Sequence, residues 1–588
     1  MVRDRLPRRK VLINIGAGAV AGLAGCSDTP QEESDGEDGD GGGMTDTDTE
    51  AMTQEDTETP SAGDPVAVEI ITPPRDNDPV SFEATKMLQS EMEKLGISVT
   101  LNTMTFNSAV DVVITNRNYD IWSIGWSGSP ERLDPSFWFN TVYHSSSISE
   151  GGYNSMQYNN PEFDEIADEQ INVYDYEERK SLVDEGQQIL LDNPPAMPYV
   201  SQDIVEPYNS DIITQFGPDM AGQGVKGFWN MLNMEISRDD NILRIGQSDT
   251  LESQNPLDAR TTFNRQTFRL IYDRLFRIGP DLSTDPWVAE SMEQVDDTTI
   301  RVSIADREYQ FHDGEPMTIE DIKFSYDYQK EHSPIISTFI EQLDQTEIID
   351  DRTLEFNLAE PSAPFLTNGL TFPFILPKHI WEDIPDSVDA ETPIDWNSPD
   401  LIGSGPFRFE ENTRGEELRL SANPDHWAAP NIDGLINITG PQQSLFNLLE
   451  TGELDAASIA TNWSLSSINR LEGIDNIETL QNSTWGFQDF DFNCLNTPKA
   501  DPSRERPTSF LAVRRAIHHV CPKQRVLDDL LGGRGTVEHS MIVSGNERWH
   551  NSDLDEVGLS FTGHEVARQE LQDAGFIWDD DDNLRFPS

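Results

Sequence analysis

Basic residues are scarce in this chain: 41 Lys and Arg stand against 106 Asp and Glu over 588 residues, a formal net charge of -65. With no basic stripe to neutralise phosphates, nucleic acid is excluded as a natural partner. Cysteine is scarcer still. Cys26, Cys494 and Cys521 are the whole complement, too few for a disulfide framework; Cys494 and Cys521 could pair outside the cell or could both stay thiols. Beyond residue 25 there is no apolar run near the ~18 residues that span a bilayer. No C-x-x-C and no paired metal-ligand spacing occur, so neither a metal nor a cofactor is expected.

What is present is acid, spread along the whole length. In dilute salt so much like charge opposes compaction. In molar salt the Debye length falls to about 3 Å, and the same surface is tolerated. The composition therefore predicts a halophilic protein. A length of 588 residues exceeds one simple core, so two lobes are expected.

The N-terminus runs Arg8-Arg9-Lys10-Val11-Leu12, then an apolar stretch, then Leu23-Ala24-Gly25-Cys26. Residues 1–26 read as an export signal of twin-arginine type closing on a lipobox, with Cys26 carrying lipid on the outer face of the membrane. Residues 27–65 are Asp, Glu, Gly, Thr and Ser with little to bury, and predict a solvated acidic tether.

The rest alternates strand and helix periods, which predicts α/β architecture. Ala84, Met87, Leu88, Met92 and Leu95 share a helical face that Gly96 ends, and Ile97, Val99 and Leu101 then alternate as a strand. Phe268, Ile271, Tyr272 and Leu275 mark one side of a later helix. Ile300, Val302 and Ile304 alternate, as do Leu354, Phe356 and Leu358. Thr318-x-x-Asp321 is a capping box opening another helix.

From residue 242 a series of short motifs follows in order: Asn255-Pro256-Leu257-Asp258, Ile271-Tyr272-Asp273-Arg274-Leu275, Pro286-Trp287-Val288-Ala289-Glu290-Ser291, Phe311-His312-Asp313-Gly314, Gly403-Ser404-Gly405-Pro406-Phe407, Asn423-Pro424-Asp425-His426-Trp427, Gly452-Glu453-Leu454-Asp455 and Val513-Arg514-Arg515-Ala516-Ile517. Together they resemble the family-5 extracellular solute-binding proteins, the dipeptide, oligopeptide and nickel class of ABC-importer binding lipoproteins. The pieces that close that pattern stand at the front of this chain instead: Met92 to Val99, Tyr119-Asp120-Ile121-Trp122 leading into Gly125-Trp126, and Pro195 to Tyr199. The order implies a circular permutant, with the family's usual ends fused near Ile236 to Asn241.

The resemblance implies a two-lobed clamp of the type II periplasmic-binding-protein kind. Residues 66–200 with 488–588 would form one lobe and 201–487 the other, with an inserted subdomain at about 284–395. Such a clamp would capture a peptide, oligosaccharide or related solute as a monomer and deliver it to the permease and ATPase of an ABC importer. It also implies that the loop after Gly125-Trp126 lines the cleft. Candidate ligand residues are Trp126, Ser127, Ser129, Glu131, Tyr153, Asn154, Asn255, Trp485, Phe487 and Asp489. In peptide binders of the family an Asp holds the ligand ammonium where Ser129 stands here, and a neutral hydroxyl cannot replace it as counter-charge. Glu131 or Asp134 could swing in, and Arg132 could favour an anion.

Two other classes remain open at this stage. A surface lipoprotein for sensing or adhesion would use the same clamp without transport. An exported hydrolase would use Gly125-Trp126-Ser127-Gly128-Ser129, one Gly short of a nucleophile elbow. His564-Glu565-x-x-Arg568 lacks the second His of a zinc motif, and Gly222-x-Gly224-x-x-Gly227 reads as a turn.

Overall fold

The computed structural model describes residues 63–149, 152–384, 392–397, 400–458, 463–496, 505–557 and 562–587. The export signal, Cys26 and all but the end of the tether lie outside the described residues. The fold is α/β, built on two large sheets and one small one. The first has six strands in the order Ser98–Thr103, Ala67–Thr72, Ile121–Trp126, Phe487–Phe492, Ala196–Gln202 and Gly535–Val537. Its first three strands run parallel, and Phe487–Phe492 pairs antiparallel with Ile121–Trp126. The second has seven strands, ordered Phe407–Thr413, Glu417–Ala422, Gly434–Thr439, Ile242–Gln247, Ala456–Ser458, Ile204–Asn209 and Ile477–Asn482. Ala289–Asp296, Thr299–Ile304, Thr353–Leu358 and Leu343–Asp350 form a separate antiparallel sheet of four.

Local chemistry accounts for these elements. Asp78 caps the helix Pro79–Glu93 by accepting from the Ser81 amide at 2.9 Å, and Gly96 ends that segment with φ +84°. A Cβ on Gly96 would stand 2.3 Å from the Asp582 carbonyl, so only glycine lets the two chain segments meet there. The capping box of Thr318 and Asp321 opens the helix Ile319–His332.

The two ends of the described chain interlock. The Val66 amide donates to the Leu584 carbonyl at 2.8 Å, Leu584 donates to Gly96, and Phe586 donates to Asp64. Phe576, Leu584 and Phe586 are buried in the same core as Val66, Val68 and Ile70.

Both faces of the six-stranded sheet are covered. Ile121, Phe490 and Phe492 point into one core, and Trp122, Ile124, Trp126 and Phe487 into another. The chain passes between the large sheets twice, through Asp203 between Gln202 and Ile204, and through residues 483–486. The two crossings are neighbours, since Ala196–Gln202 pairs with Phe487–Phe492 and Ile204–Asn209 with Ile477–Asn482. Cys494 and Cys521 are both free thiols. No helix among the described residues is long and apolar enough to cross a membrane.

Two carboxyls on the strand Phe487–Phe492 are fully buried. Asp489 and Asp491 lie close enough on one face of the sheet to act on each other, with the Trp126 indole beside Asp489. Burial, and then the neighbouring charge of Asp491, pushes Asp489 far above the usual carboxylate range; burial raises Asp491 as well. Between the ordinary and the raised pKa the folded chain keeps a proton that the unfolded chain has released, so this pair weakens the fold as pH rises. Burial holds His312 and His539 down at about 4, which works in the opposite sense as pH falls below about 6.5. The difference between variant and parent isolates the carboxyls. Asp491→Asn is expected to raise stability by about 1–3 kcal/mol at pH 8, with the gain shrinking towards pH 5. Thermal melts at the two pH values check this, and an equal or absent gain at both contradicts it.

Candidate functional site

The helix Thr262–Ile271 forms because Thr261 caps it, accepting from the Asn264 amide at 3.1 Å, and because Phe263, Phe268 and Ile271 give it one buried face. That burial leaves Arg265 and Arg269, four residues apart, on the opposite face. They line a small cleft together with Lys226, the glycines of 222–227, and residues 128–130 from the other sheet. An adjoining cleft is walled by Arg269, Arg274, Arg277, Trp229, Trp485 and Phe372. Both draw on residues attached to each large sheet.

The second wall comes from the loop after the strand Ile121–Trp126. Pro130–Arg132 makes one tight helical turn, and Gly128 passes so near the second crossing that a Cβ would lie 2.6 Å from Thr484 Oγ1. Glu131 then reaches across to Arg269 at 3.1 Å and to Arg265 at 3.4 Å, while Ser129 donates its hydroxyl to it. Burial alone would raise the Glu131 carboxyl; the two guanidinium groups and Ser129 outweigh it and hold the group down at about 2. Lys226 is 3% exposed, with its ammonium on Gln247 and over the Phe263 ring. Burial lowers it to about 7 against the pull of Asp249 and Glu206.

Of the residues expected at the site, Ser129 and Trp485 line the clefts and Glu131 bonds to their arginines. Gly222, with φ +73°, lets the backbone lie against the Trp485 ring, 2.6 Å from where a Cβ would be. The others lie elsewhere. Trp126 and Phe487 are core residues packed on Trp138, each with ring centroids 5.2 Å away, and Tyr153 sits edge-on to Phe137. Asn154 is fully buried and spends its amide on the carbonyls of Tyr143, His144 and Tyr158. Asn255 is likewise buried, pinning the carbonyls of Pro393, Ile394 and Trp396. Asp489 is 0% exposed and faces the core with Asp491. For these three, folding took the polar group inward because a buried partner or strand face claimed it.

Ser127 accepts a hydrogen bond from Arg132 at 3.0 Å; a guanidinium cannot take the proton a nucleophilic serine must lose. Arg132 itself stacks on Trp126 at 5.1 Å, and Asp134 is locked onto Arg179. His312 is held by the Gly405 carbonyl and the Gly403 amide, a structural turn. Among the described residues no group of three His, Cys, Asp or Glu side chains could hold a metal ion.

The arginines were missed as site residues, although the signal is in the sequence. Arg265, Arg269, Arg274 and Arg277 crowd one short segment of a chain otherwise poor in cations.

The sequence model for bacterial extracellular solute-binding proteins, family 5 Middle, matches residues 283–588, just over half of the chain. The oligopeptide-binding protein AppA of Bacillus subtilis is 25% identical over 322 residues, 52% of this chain and 54% of its own length. Protein XP55 of Streptomyces lividans is 25% identical over 273 residues, 45% of this chain and 46% of its own. The chain thus spans about half the length of the curated relatives it matches. Among solved structures, AppA of Bacillus subtilis in complex with a nonapeptide aligns with a TM-score of 0.44 at 22% identity, over 58% of this chain and 65% of that one. NikZ of Campylobacter jejuni in complex with Ni(L-His) aligns with a TM-score of 0.44 at 21% identity, over 59% and 66%. With more than half of its length matched by the family's own pattern, the chain belongs to the bacterial extracellular solute-binding proteins of family 5.

Proposed function

We propose that this protein captures a small solute in the cleft between its two large sheets and delivers it to the permease and ATPase of an ABC importer, without chemistry of its own. The observation that carries this is the cleft itself, walled by Gly128, Ser129 and Pro130 on one side and the helix Thr262–Ile271 on the other. A solute that touches both walls favours the closed clamp by its differential contacts, and nothing else is needed to drive closure. Relatives named for oligopeptide binding support the importer role.

The same reading covers the organisation of the chain. Residues 66–200 with 488–588 act as one lobe and 201–487 as the other, with an inserted subdomain at about 284–395. The interlocked ends at Val66 and Phe586 support a circularly permuted order. The protein works as a monomer, exported by the twin-arginine route, held outside the cell membrane by lipid on Cys26, and in high salt.

Mass spectrometry of small molecules released by heat from protein purified in molar salt tests the capture. A defined solute approaching one per chain is the expected result. Folded protein that never carries or takes up a solute would favour the sensing or adhesion role instead.

A further inference from the structure

We propose that the captured solute is an anion, held by its carboxylate or phosphate oxygens on the row Arg265, Arg269, Arg274 and Arg277, and that Glu131 is the chain's own carboxylate competing for the same place. This rests on the solute-capture reading and gives it a ligand class.

The charge distribution is the first support. A chain with 106 acidic and 41 basic residues has gathered four arginines and Lys226 onto adjoining cleft walls. The carboxylates facing them are few. Glu131 lies on Arg265 and Arg269. Asp273 is 3.8 Å from Arg277 but shares itself with His426 and with the Trp287 indole. Asp249 and Glu206 act on Lys226.

Unmet hydrogen-bonding capacity is the second. Arg274 is 5% exposed and donates to the Thr371 carbonyl at 2.8 Å, with its guanidinium over the Phe374 ring at 4.5 Å. Among the described residues no carboxylate forms an ion pair with it, and Glu131 acts on it only through its charge. The Nε atoms of Arg269, Arg274 and Arg277 are all buried without an acceptor. Each guanidinium does spend another nitrogen, Arg269 on Glu131, Arg274 on Thr371 and Arg277 on the Tyr272 carbonyl, but a buried N–H left unmet is costly, and a planar fork beside aromatic rings is suited to bidentate oxyanions. Burial, and then the neighbouring charge of Arg269, pushes Arg277 down against the pull of Asp273. A neutral sugar brings no counter-charge to this wall, and a cationic peptide adds to the repulsion.

Glu131 explains how the site stays folded around so much positive charge. It crosses from one wall to the other and meets the two arginines of the helix, as an incoming carboxylate would. In molar salt long-range steering is screened within about 3 Å, so selection must come from direct contact of this kind.

The test equilibrates the full chain in molar potassium chloride with citrate, glycerol phosphate, maltotriose and trilysine. Binding is read by equilibrium dialysis and by the change in intrinsic tryptophan fluorescence, to which Trp229 and Trp485 of the cleft contribute. Citrate or glycerol phosphate is expected to bind. Arg269→Gln should weaken that binding roughly tenfold to a hundredfold, and Glu131→Gln should tighten it severalfold, with melting curves showing that both variants fold. Binding of maltotriose or trilysine that Arg269→Gln leaves unchanged would overturn the anion class while solute capture stood, as would a neutral or cationic solute recovered from the purified protein. No binding of any probe and no recovered solute would overturn both readings.

Discussion

A chain cut after Gly575 is expected to lose the fixed packing around the six-stranded sheet, although the cut removes only the last turn and a short hairpin. Phe576, Leu584 and Phe586 are 1%, 0% and 4% exposed, and Phe576 and Phe586 both pack on Phe510, with centroids 5.4 and 5.7 Å away. Emptying one such aromatic site costs about 3–5 kcal/mol, and a leucine about 2–5. Their sum is comparable to the ~5–15 kcal/mol that holds a domain together. The cut also strips the Leu584 and Phe586 backbone partners from Val66, Gly96 and Asp64 at the other end of the chain. Near-ultraviolet circular dichroism in molar salt should show the loss of fixed aromatic packing. A truncated chain that melts with the parent would mean the N-terminal strand stands without the tail. The proposed permutation has a matching test. Joining Pro587 to Asp64 through a short linker and opening the exposed turn between Asp239 and Asp240 should give a chain in the family's usual order that melts within a few degrees of the parent, because exposed turns tolerate new ends. A reordered chain that cannot fold would count against the permutation.

Arg179→Ala is the second large effect expected. Arg179 and Asp134 form a bidentate pair at 2.9 and 2.7 Å with side chains 3% and 0% exposed. Arg179 also donates twice to Gln170, and Thr367 donates to Asp134 from the region of the small sheet. The pair therefore ties the helix Tyr176–Asp192, the loop below the cleft and residue 367 together. Removing one partner strands the other charge in the interior, which costs about 3–5 kcal/mol. The melting temperature should fall by about 6–15 °C, taking ~2–3 °C per kcal/mol for a large domain. Replacing both partners by apolar residues should cost much less than the single change. If Arg179→Ala and the double replacement cost the same, the stranded charge is not the cause.

Periodicity and capping made much of the fold legible. Thr318 and Asp321 form the box their spacing implies, and the alternations at 300–304 and 354–358 fall inside the strands Thr299–Ile304 and Thr353–Leu358. Each of these signals depends on neighbours in sequence. The site was less legible because it depends on contacts across hundreds of residues. Asn255 and Asn154 have the chemistry of ligand residues, yet carbonyls at 393–396 and around 143–158 claim their amides. Asp489 alternates with Phe490 as a half-exposed strand would, but both faces of that sheet are covered. Glu131 was within reach of sequence reasoning as a residue of the loop after Trp126; the crowding of Arg265 and Arg269 was visible too, but not their pairing with Glu131, since nothing local says which helix faces that loop.

The most direct test of the clamp is solution scattering in molar salt, comparing the chain stripped by unfolding and refolding with the same chain given back the solute recovered from it. The two lobes should draw together, seen as a smaller radius of gyration when the solute is returned. An unchanged radius with the solute demonstrably bound would contradict closure and leave a rigid binding surface in its place.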